Sequence, residues 1–371
     1  MGTPGERTVG VEEELLLVDI STGRPRSVAG RVIDALADEQ PDDPGREGGV
    51  EGELQRYMVE TQSSVGTDLA AVEHELKDWR HTVSVAAREA GAGSAALGTS
   101  PFAGDGLITP KARYLRMEEQ FGPTVQEVLT CGSHVHVGVA SPEEGIGVID
   151  RIRGWLPVVL ALSANSPFSD GRDTGYASYR SQLWVRWPSA GPTDLFGSPD
   201  AYEDLVRSMV DSGVLLDDGM IYFDARLSAS YPTLEIRVPD VCTDVGDSAL
   251  IAALARGLVD TAANDWTHGR HPDPIRIEVL RGATWRAARF GLSGELLDHR
   301  TKMLVPAWAM VDALVEHVLA ALRANGDLDF VLESVARLRI SGTGADLQRA
   351  EFGRRGLLSD VVQNAAQRTL E

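Results

Sequence analysis

Two cysteines in 371 residues, Cys131 and Cys242, cannot build a disulfide framework, and neither sits in a CxxC pair. A reducing cytoplasm is the simple expectation. No run of about 18 apolar residues occurs, so no membrane-spanning helix is expected. The opening MGTPGERTVG has no apolar signal-peptide core. Positive charge is scarce: 35 Lys and Arg against 55 Asp and Glu leave a net charge of −20, which argues against a nucleic-acid surface. Solubility accounts for most of that acid, and a share of it remains available for divalent cations. There is no GxxxxGK[ST], and Gly91–Gly98 lacks GxGxxG spacing, so a nucleotide would have to be held by other means. There is no HExxH, and Ser84, Ser100 and Cys131 sit in no nucleophile elbow. No internal repeat, low-complexity tract or linker divides the chain.

Against these absences, three stretches carry ionisable pairs at i, i+2. In Cys131–Val139 (CGSHVHVGV), alternation puts His134 and His136 on one face of a strand and Val135 and Val137 on the other. Gly132 and Gly138 bracket the run as turn signals. In Thr8–Val18, Glu12 and Glu14 share a face and Glu13 takes the opposite one. In Leu234–Pro239, Glu235 and Arg237 share a face. The expectation is one sheet that aims all three pairs into one site.

The remaining pattern is α+β. Helices are expected over Arg31–Ala37, Thr67–Ala90, Lys111–Phe121 and Ala201–Ser212, and from Pro142 to about Ser163 with a kink near Pro157. Gln40–Gly52 reads as an exposed loop. Glu53–Gln62 fits either two helical turns, which would put Glu53 and Glu60 on one face, or a bulged strand. Ser94–Thr99, Met220–Leu227 and Thr233–Val238 read as strands, and Ala164–Pro199 as a long, functional connection. From Asp247 onward the pattern is almost all helical. Strands gather in the first two-thirds and helices in the last, without strict βαβ alternation.

Glu12, Glu14, Glu53, Glu60 and Glu235 could supply the oxygen ligands that a hard cation such as Mg2+ wants. Glu12 and Glu14 are the stronger candidates, because a carboxylate pair on an otherwise apolar strand repels itself unless a cation neutralises it. The HxH pair leaves three readings open: satisfied core histidines, a zinc site, or one histidine in a carboxylate-rich site. Arg180 and Arg237 are candidate phosphate clamps, since guanidinium pairs bidentately with phosphoryl oxygens. For Arg237 a salt bridge to a neighbouring strand weighs equally.

Eight short segments, in order, resemble the carboxylate–amine ligases of the glutamate–cysteine ligase type 2 (YbdK-like) family. They are GVEEEL at Gly10–Leu15, EL…VE at Glu53–Glu60, ARY at Ala112–Tyr114, GSHVHVGV at Gly132–Val139, SANSPF at Ser163–Phe168, YRSQLW at Tyr179–Trp184, WPSAGP at Trp187–Pro192 and TLEIRVPDVCTDV at Thr233–Val245. The resemblance covers about residues 8 to 245, and the helical tail matches in character only. It implies a single catalytic domain over 1–371 with a glutamine-synthetase-like fold, a curved antiparallel sheet walling the active site with helices behind. It implies ATP and Mg2+ or Mn2+, with Glu12, Glu14, Glu53, Glu60, His134 and Glu235 at the metals. Arg180 and Arg237 would bind phosphates and act in catalysis, with His136 beside the nucleotide. Arg113 and Asn165 would bind substrate. Under this reading Glu53–Gln62 is a bulged strand. The implied reaction activates a carboxylate, the γ-carboxylate of glutamate, as an acyl phosphate that an amine then attacks; cysteine is the acceptor in the family's name. A homodimer is compatible with it. The rival expectations are a phosphotransferase of the guanidino-kinase type, a zinc hydrolase using HxH, and a nucleotide binder without activity.

Overall fold

The computed structural model describes residues 6–37 and 49–371. Its strands, in chain order, are β1 (Val9–Val18), β2 (Gly49–Gly52), β3 (Met58–Gln62), β4 (Gly93–Ala95), β5 (Ser133–Gly138), β6 (Phe168–Ser169), β7 (Arg172–Asp173), β8 (Ala225–Leu227), β9 (Thr233–Ile236), β10 (Glu295–Asp298) and β11 (Met303–Pro306). Seven form one antiparallel sheet in the order β2-β3-β1-β5-β9-β8, with β4 on the C-terminal end of β1. Helices make up most of the remainder, so the α+β expectation holds.

The register delivers the alternation read from the sequence. Glu12 stands opposite His134, Glu14 opposite Glu60, His136 opposite Glu235, and Glu235 opposite Arg226. Side chains opposite one another across a ladder share a face. One face therefore carries a row of ionisable groups across β3, β1, β5, β9 and β8.

The other face carries Val9, Val11, Val135, Val137, Leu234 and Ile236, all buried. It packs on the helices Leu69–Glu89, Pro142–Ile152 and Val245–Thr267. Burial of each such side chain contributes about 1.5–3 kcal/mol, and this core holds the charged row in place. The helices start where their caps predict. Asp68 accepts from Ala70 N at 2.9 Å, and Ser141 accepts from Glu144 N with Pro142 in the first turn. Glu13 falls on the apolar face, as alternation requires. It is fully buried and accepts from Arg80 Nε at 2.8 Å, Arg80 Nη2 at 2.7 Å and Ser248 Oγ at 2.6 Å.

Several expectations need correction. Glu53–Gln62 is not one bulged strand: β2 and β3 form a hairpin, with Glu51 opposite Glu60, and Glu53 lies just past β2. The turn, not a bulge, brings Glu53 and Glu60 together. Of the loop expected over Gln40–Gly52, residues 40–48 lie outside the described residues and Gly49–Gly52 is β2. The long helix is two, Pro142–Ile152 and Leu156–Ser163. Pro157 cannot donate to the ladder and is accommodated in a first turn instead. The expected strand Met220–Leu227 is shorter, preceded by a 3-10 turn at Asp218–Met220. The tail holds the β10–β11 hairpin and a last helix, Leu358–Arg368, that the sequence reading did not anticipate. That end of the chain is tied to the sheet region: Val362, Ala365 and Ala366 share a core with Leu15–Val18, and Thr369 Oγ1 accepts from Ala96 N at 2.9 Å.

Candidate active site

The charged row floors a cavity of about 270 Å³. Glu12, Glu14, Glu53, Glu60, His134 and Arg237 line it, with Arg113, Tyr114, Trp184, Trp187, Tyr222 and Arg226 around them. Strands β1, β3 and β5 position Glu12, Glu14, Glu60 and His134, and the turn after β2 brings Glu53. The segment after β9 brings Arg237, and the Ala112–Phe121 helix brings Arg113 to the rim.

Ligand atoms here fall into three groups, each within 4.8 Å of one another: Glu12, Glu60 and His134; Glu14, Glu53 and Glu60; Glu12, His136 and Glu235. The donors are mostly carboxylate oxygens, the chemistry that suits Mg2+ or Mn2+. Two observations fit a cation. Nε2 of His134 is buried without a hydrogen-bond partner. Burial and the charge of Glu53 push Glu14 up to about 8. Burial, then the charges of Glu53, Glu12 and Glu14, push Glu60 well above the usual carboxylate range. Burial raises Glu53 too. A positive ion would relieve all three.

The remaining acids have cationic partners. Burial opposes charge on Glu12, but hydrogen bonds with His134 and His136 overcome it and hold the carboxyl low. Glu12 lies 3.2 Å from His134 Nδ1 and 3.2 Å from His136 Nε2. Glu235 is held at about 2: burial opposes its charge, while Arg237 and Arg226 stabilise it. Arg226 Nε donates to Glu235 Oε2 at 2.6 Å, and Arg237 Nη1 donates to Oε1. Burial, then the charge of Arg237, brings His134 down to about 4.

The structure brings Glu12, Glu14, Glu53, Glu60, His134, Arg237 and Arg113 to one cavity, with Glu235 beneath Arg237. Three expected residues stand elsewhere. His136 lies one step along β5, where Nδ1 meets Thr233 Oγ1 at 3.0 Å, outside the cavity lining. Arg180 is buried behind Arg237, donating to the carbonyls of Val238 and Arg237 at 3.3 and 3.4 Å. In this geometry it supports Arg237 and does not reach the cavity. Asn165 is fully buried, and its side chain is spent on structure. Nδ2 donates to Ala96 O and Val241 O, and Oδ1 accepts from Thr243 and Gln348. With both Nδ2 donors and Oδ1 engaged, the amide that the resemblance offered to substrate is here a tie within the fold.

The sequence reading did not assign Arg226, Trp184 or Tyr222 to the site. Arg226 was within reach, because closing β8 and β9 around Ser228–Pro232 sets it opposite Glu235. Trp184 and Tyr222 present ring faces to Arg237 at 5.8 and 5.7 Å, an arrangement that fixes the guanidinium where hydrogen bonds leave its Nε without a partner.

Comparison with known proteins agrees with this architecture. Residues 8–364 match glutamate–cysteine ligase family 2. The chain is 52% identical over 363 residues to the protein named putative glutamate–cysteine ligase 2-1 of Streptomyces avermitilis, covering 98% of this chain and 99% of that one. It is 48% identical over 364 residues to putative glutamate–cysteine ligase 2 of Streptomyces coelicolor, with 98% and 99% covered. Among solved structures, glutamate–cysteine ligase from Francisella tularensis in complex with AMP has the same fold, with a TM-score of 0.68 at 13% identity over 99% of this chain and 89% of that one. A bifunctional glutathione synthetase from Pasteurella multocida superposes with a TM-score of 0.70 at 15% identity, over 98% of this chain and 52% of the other. With the matched segment spanning the glutamate strand, the histidine strand and the helical tail alike, the chain belongs to glutamate–cysteine ligase family 2.

Proposed function

We propose that this protein is an ATP-dependent carboxylate–amine ligase that activates the γ-carboxylate of glutamate as an acyl phosphate and joins it to an amine. The observation that carries the reading is the meeting of two opposite charge sets, side by side along one sheet face, in one cavity. Buried carboxylates with His134 line one part, and Arg237 and Arg226 line another. Divalent cations on the carboxylates would neutralise the polyphosphate and polarise the transferring phosphoryl group. Arg237 stabilises charge on that group, its position fixed by Glu235, Trp184 and Tyr222. Tyr114, Trp184 and Trp187 wall the cavity and keep water from the reactive acyl phosphate. No side-chain nucleophile is required. The reading assigns residues 1–371 to one catalytic domain, supported by the tail's place in the core beside β1. A cytoplasmic location fits ATP dependence and two free, buried cysteines. Among the described residues, no helix is long and apolar enough to cross a membrane.

The zinc-hydrolase alternative gains nothing from the geometry: His134 and His136 fall in different ligand groups. Incubation with ATP, Mg2+ or Mn2+, glutamate and a panel of amines, cysteine among them, tests the proposal. Phosphate release with a γ-glutamyl amide in the mass spectrum supports it. A phosphoramidate with no amide would make the protein a kinase.

A further inference from the structure

Arg113, which lines the cavity, forms a two-pronged pair with Asp217 next to it, Nε to Oδ2 and Nη2 to Oδ1, both 2.8 Å. The two come from separate elements, the Ala112–Phe121 helix and the segment before the Asp218–Met220 turn. Their side chains are 35% and 32% exposed, so the pair is open on one side. A guanidinium has five N–H donors and a carboxylate about four acceptor sites. The fork takes two of each, and the nearby Tyr222 hydroxyl and Gly219 N–H interact favourably with Arg113 and Asp217 in turn. The pair therefore does not exhaust the donors of the guanidinium or the acceptor sites of the carboxylate. Gly219 lines the cavity beside them. A Cβ on Gly219 would lie 3.0 Å from Arg113 Nη2 and 3.1 Å from Asp217 Oδ1. Its φ is not in the left-handed region, so the backbone does not demand glycine there. What the missing side chain leaves is access to a cation and an anion side by side.

We propose that Arg113, Asp217 and Gly219 form the seat for the zwitterionic head of the α-amino-acid donor, with Arg113 taking its carboxylate and Asp217 its ammonium. This rests on the ligase reading above. The geometry selects the donor over the acceptor. An acceptor amine must be neutral and free to attack, and an ammonium held on Asp217 is neither. The donor's α-ammonium takes no part in the reaction. With the head at the rim, the side-chain carboxylate points toward Arg237 and the acidic floor. The Arg113 guanidinium keeps the Asp217 carboxyl below its ordinary range, so the anion is present at neutral pH. A salt bridge that only ties the rim together would be worth little at this exposure and would not read the substrate.

The test compares glutamate with glutarate, which lacks the α-amino group, and 4-aminobutyrate, which lacks the α-carboxylate. Phosphate release is measured for wild type, Asp217→Asn and Gly219→Ala. Wild type should prefer glutamate to both analogues. Asp217→Asn should cut the glutamate-to-glutarate ratio of kcat/KM by about 10- to 100-fold, the scale of one hydrogen bond to a charged group, with KM for glutamate rising more than kcat falls. Gly219→Ala keeps both charges and should raise the KM for glutamate by about tenfold as its methyl covers them. An unchanged ratio in Asp217→Asn, with only a lower melting temperature, would reduce the pair to a rim tie and overturn the proposal. Calorimetric titration with glutamate reads the seat without turnover. Binding weakened in Asp217→Asn, in a protein that releases no phosphate with any donor, would keep the seat and reject the ligase reading. Equal binding in both proteins would reject the seat.

Discussion

Glu13→Gln separates the two faces of β1 more sharply than any other substitution. Glu12 and Glu14 face the cavity, and Glu13 faces the core, where it is fully buried against Arg80 and Ser248. Glutamine keeps the shape, removes the charge and turns an NH2 toward a guanidinium. Breaking a buried pair by removing one partner costs about 3–5 kcal/mol. Arg80 keeps two acceptors, the carbonyls of Cys242 and Thr243 at 2.8 and 2.9 Å, which places the loss near the lower end, about 3 kcal/mol. An unfolding entropy of about 2.1 cal/mol/K per residue gives about 0.8 kcal/mol/K for this chain, so the melting temperature should fall by about 4 °C. Glu12→Gln and Glu14→Gln should nearly abolish turnover in a folded protein. Scanning calorimetry and steady-state kinetics on the three variants, assayed well below the transition, make the comparison. Turnover lost in Glu13→Gln as fully as in Glu12→Gln, with an unmoved melting temperature, would refute the face assignment.

Arg237→Lys replaces a planar fork, held against Glu235, Trp184 and Tyr222, with a point charge. Loss of one preorganised donor predicts a fall of about 100-fold in kcat and kcat/KM together; near-normal kcat with a lower melting temperature would make Arg237 a structural residue. Removing divalent cations with EDTA should end turnover, and Mn2+ should raise the wild-type melting temperature. Glu60→Gln removes a carboxyl shared by two of the three ligand groups and should blunt that rise; an equal rise in both proteins would place the metal elsewhere. His299 lies edge-on to Trp155 at 4.6 Å, with burial and then the Arg300 charge lowering it to about 4. Between pH 6.5 and 4 the unfolded chain takes up a proton that the native protein refuses, so stability falls as pH drops, by up to about 1.4 kcal/mol per unit. His299→Phe should flatten the melting-temperature profile between pH 6.5 and 5, and an unchanged slope would contradict this.

What the sequence made legible was local. Strand alternation is a property of consecutive residues, so the facing of Glu12, Glu13 and Glu14 and of the valines flanking His134 could be read directly. Caps at Asp68 and Ser141 are local too. Glu53 and Glu60 were paired correctly for the wrong reason: a hairpin turn and a bulge can bring the same two residues together, and only the pairing of Glu51 with Glu60 distinguishes them. Asn165 is the opposite case. Its motif matched the family, but what a buried amide meets, here the carbonyls of Ala96 and Val241 and the side-chain NH2 of Gln348, depends on distant parts of the chain. The depth of Arg180 below the cavity could not be read for the same reason, because depth is a tertiary property. Asp217 stands beside Asp218 just before a short 3-10 turn, and nothing in its neighbours points to Arg113, 104 residues away.

The most direct measurement of the central claim follows oxygen. Glutamate labelled with 18O in its γ-carboxylate, ATP, Mg2+ and an accepted amine are turned over in unlabelled water, and the released phosphate is weighed. An acyl phosphate requires one carboxylate oxygen to leave with the phosphoryl group when the amine displaces it, so each phosphate should carry one 18O. Phosphate free of label would mean that the γ-carboxylate is never phosphorylated, and would contradict the account.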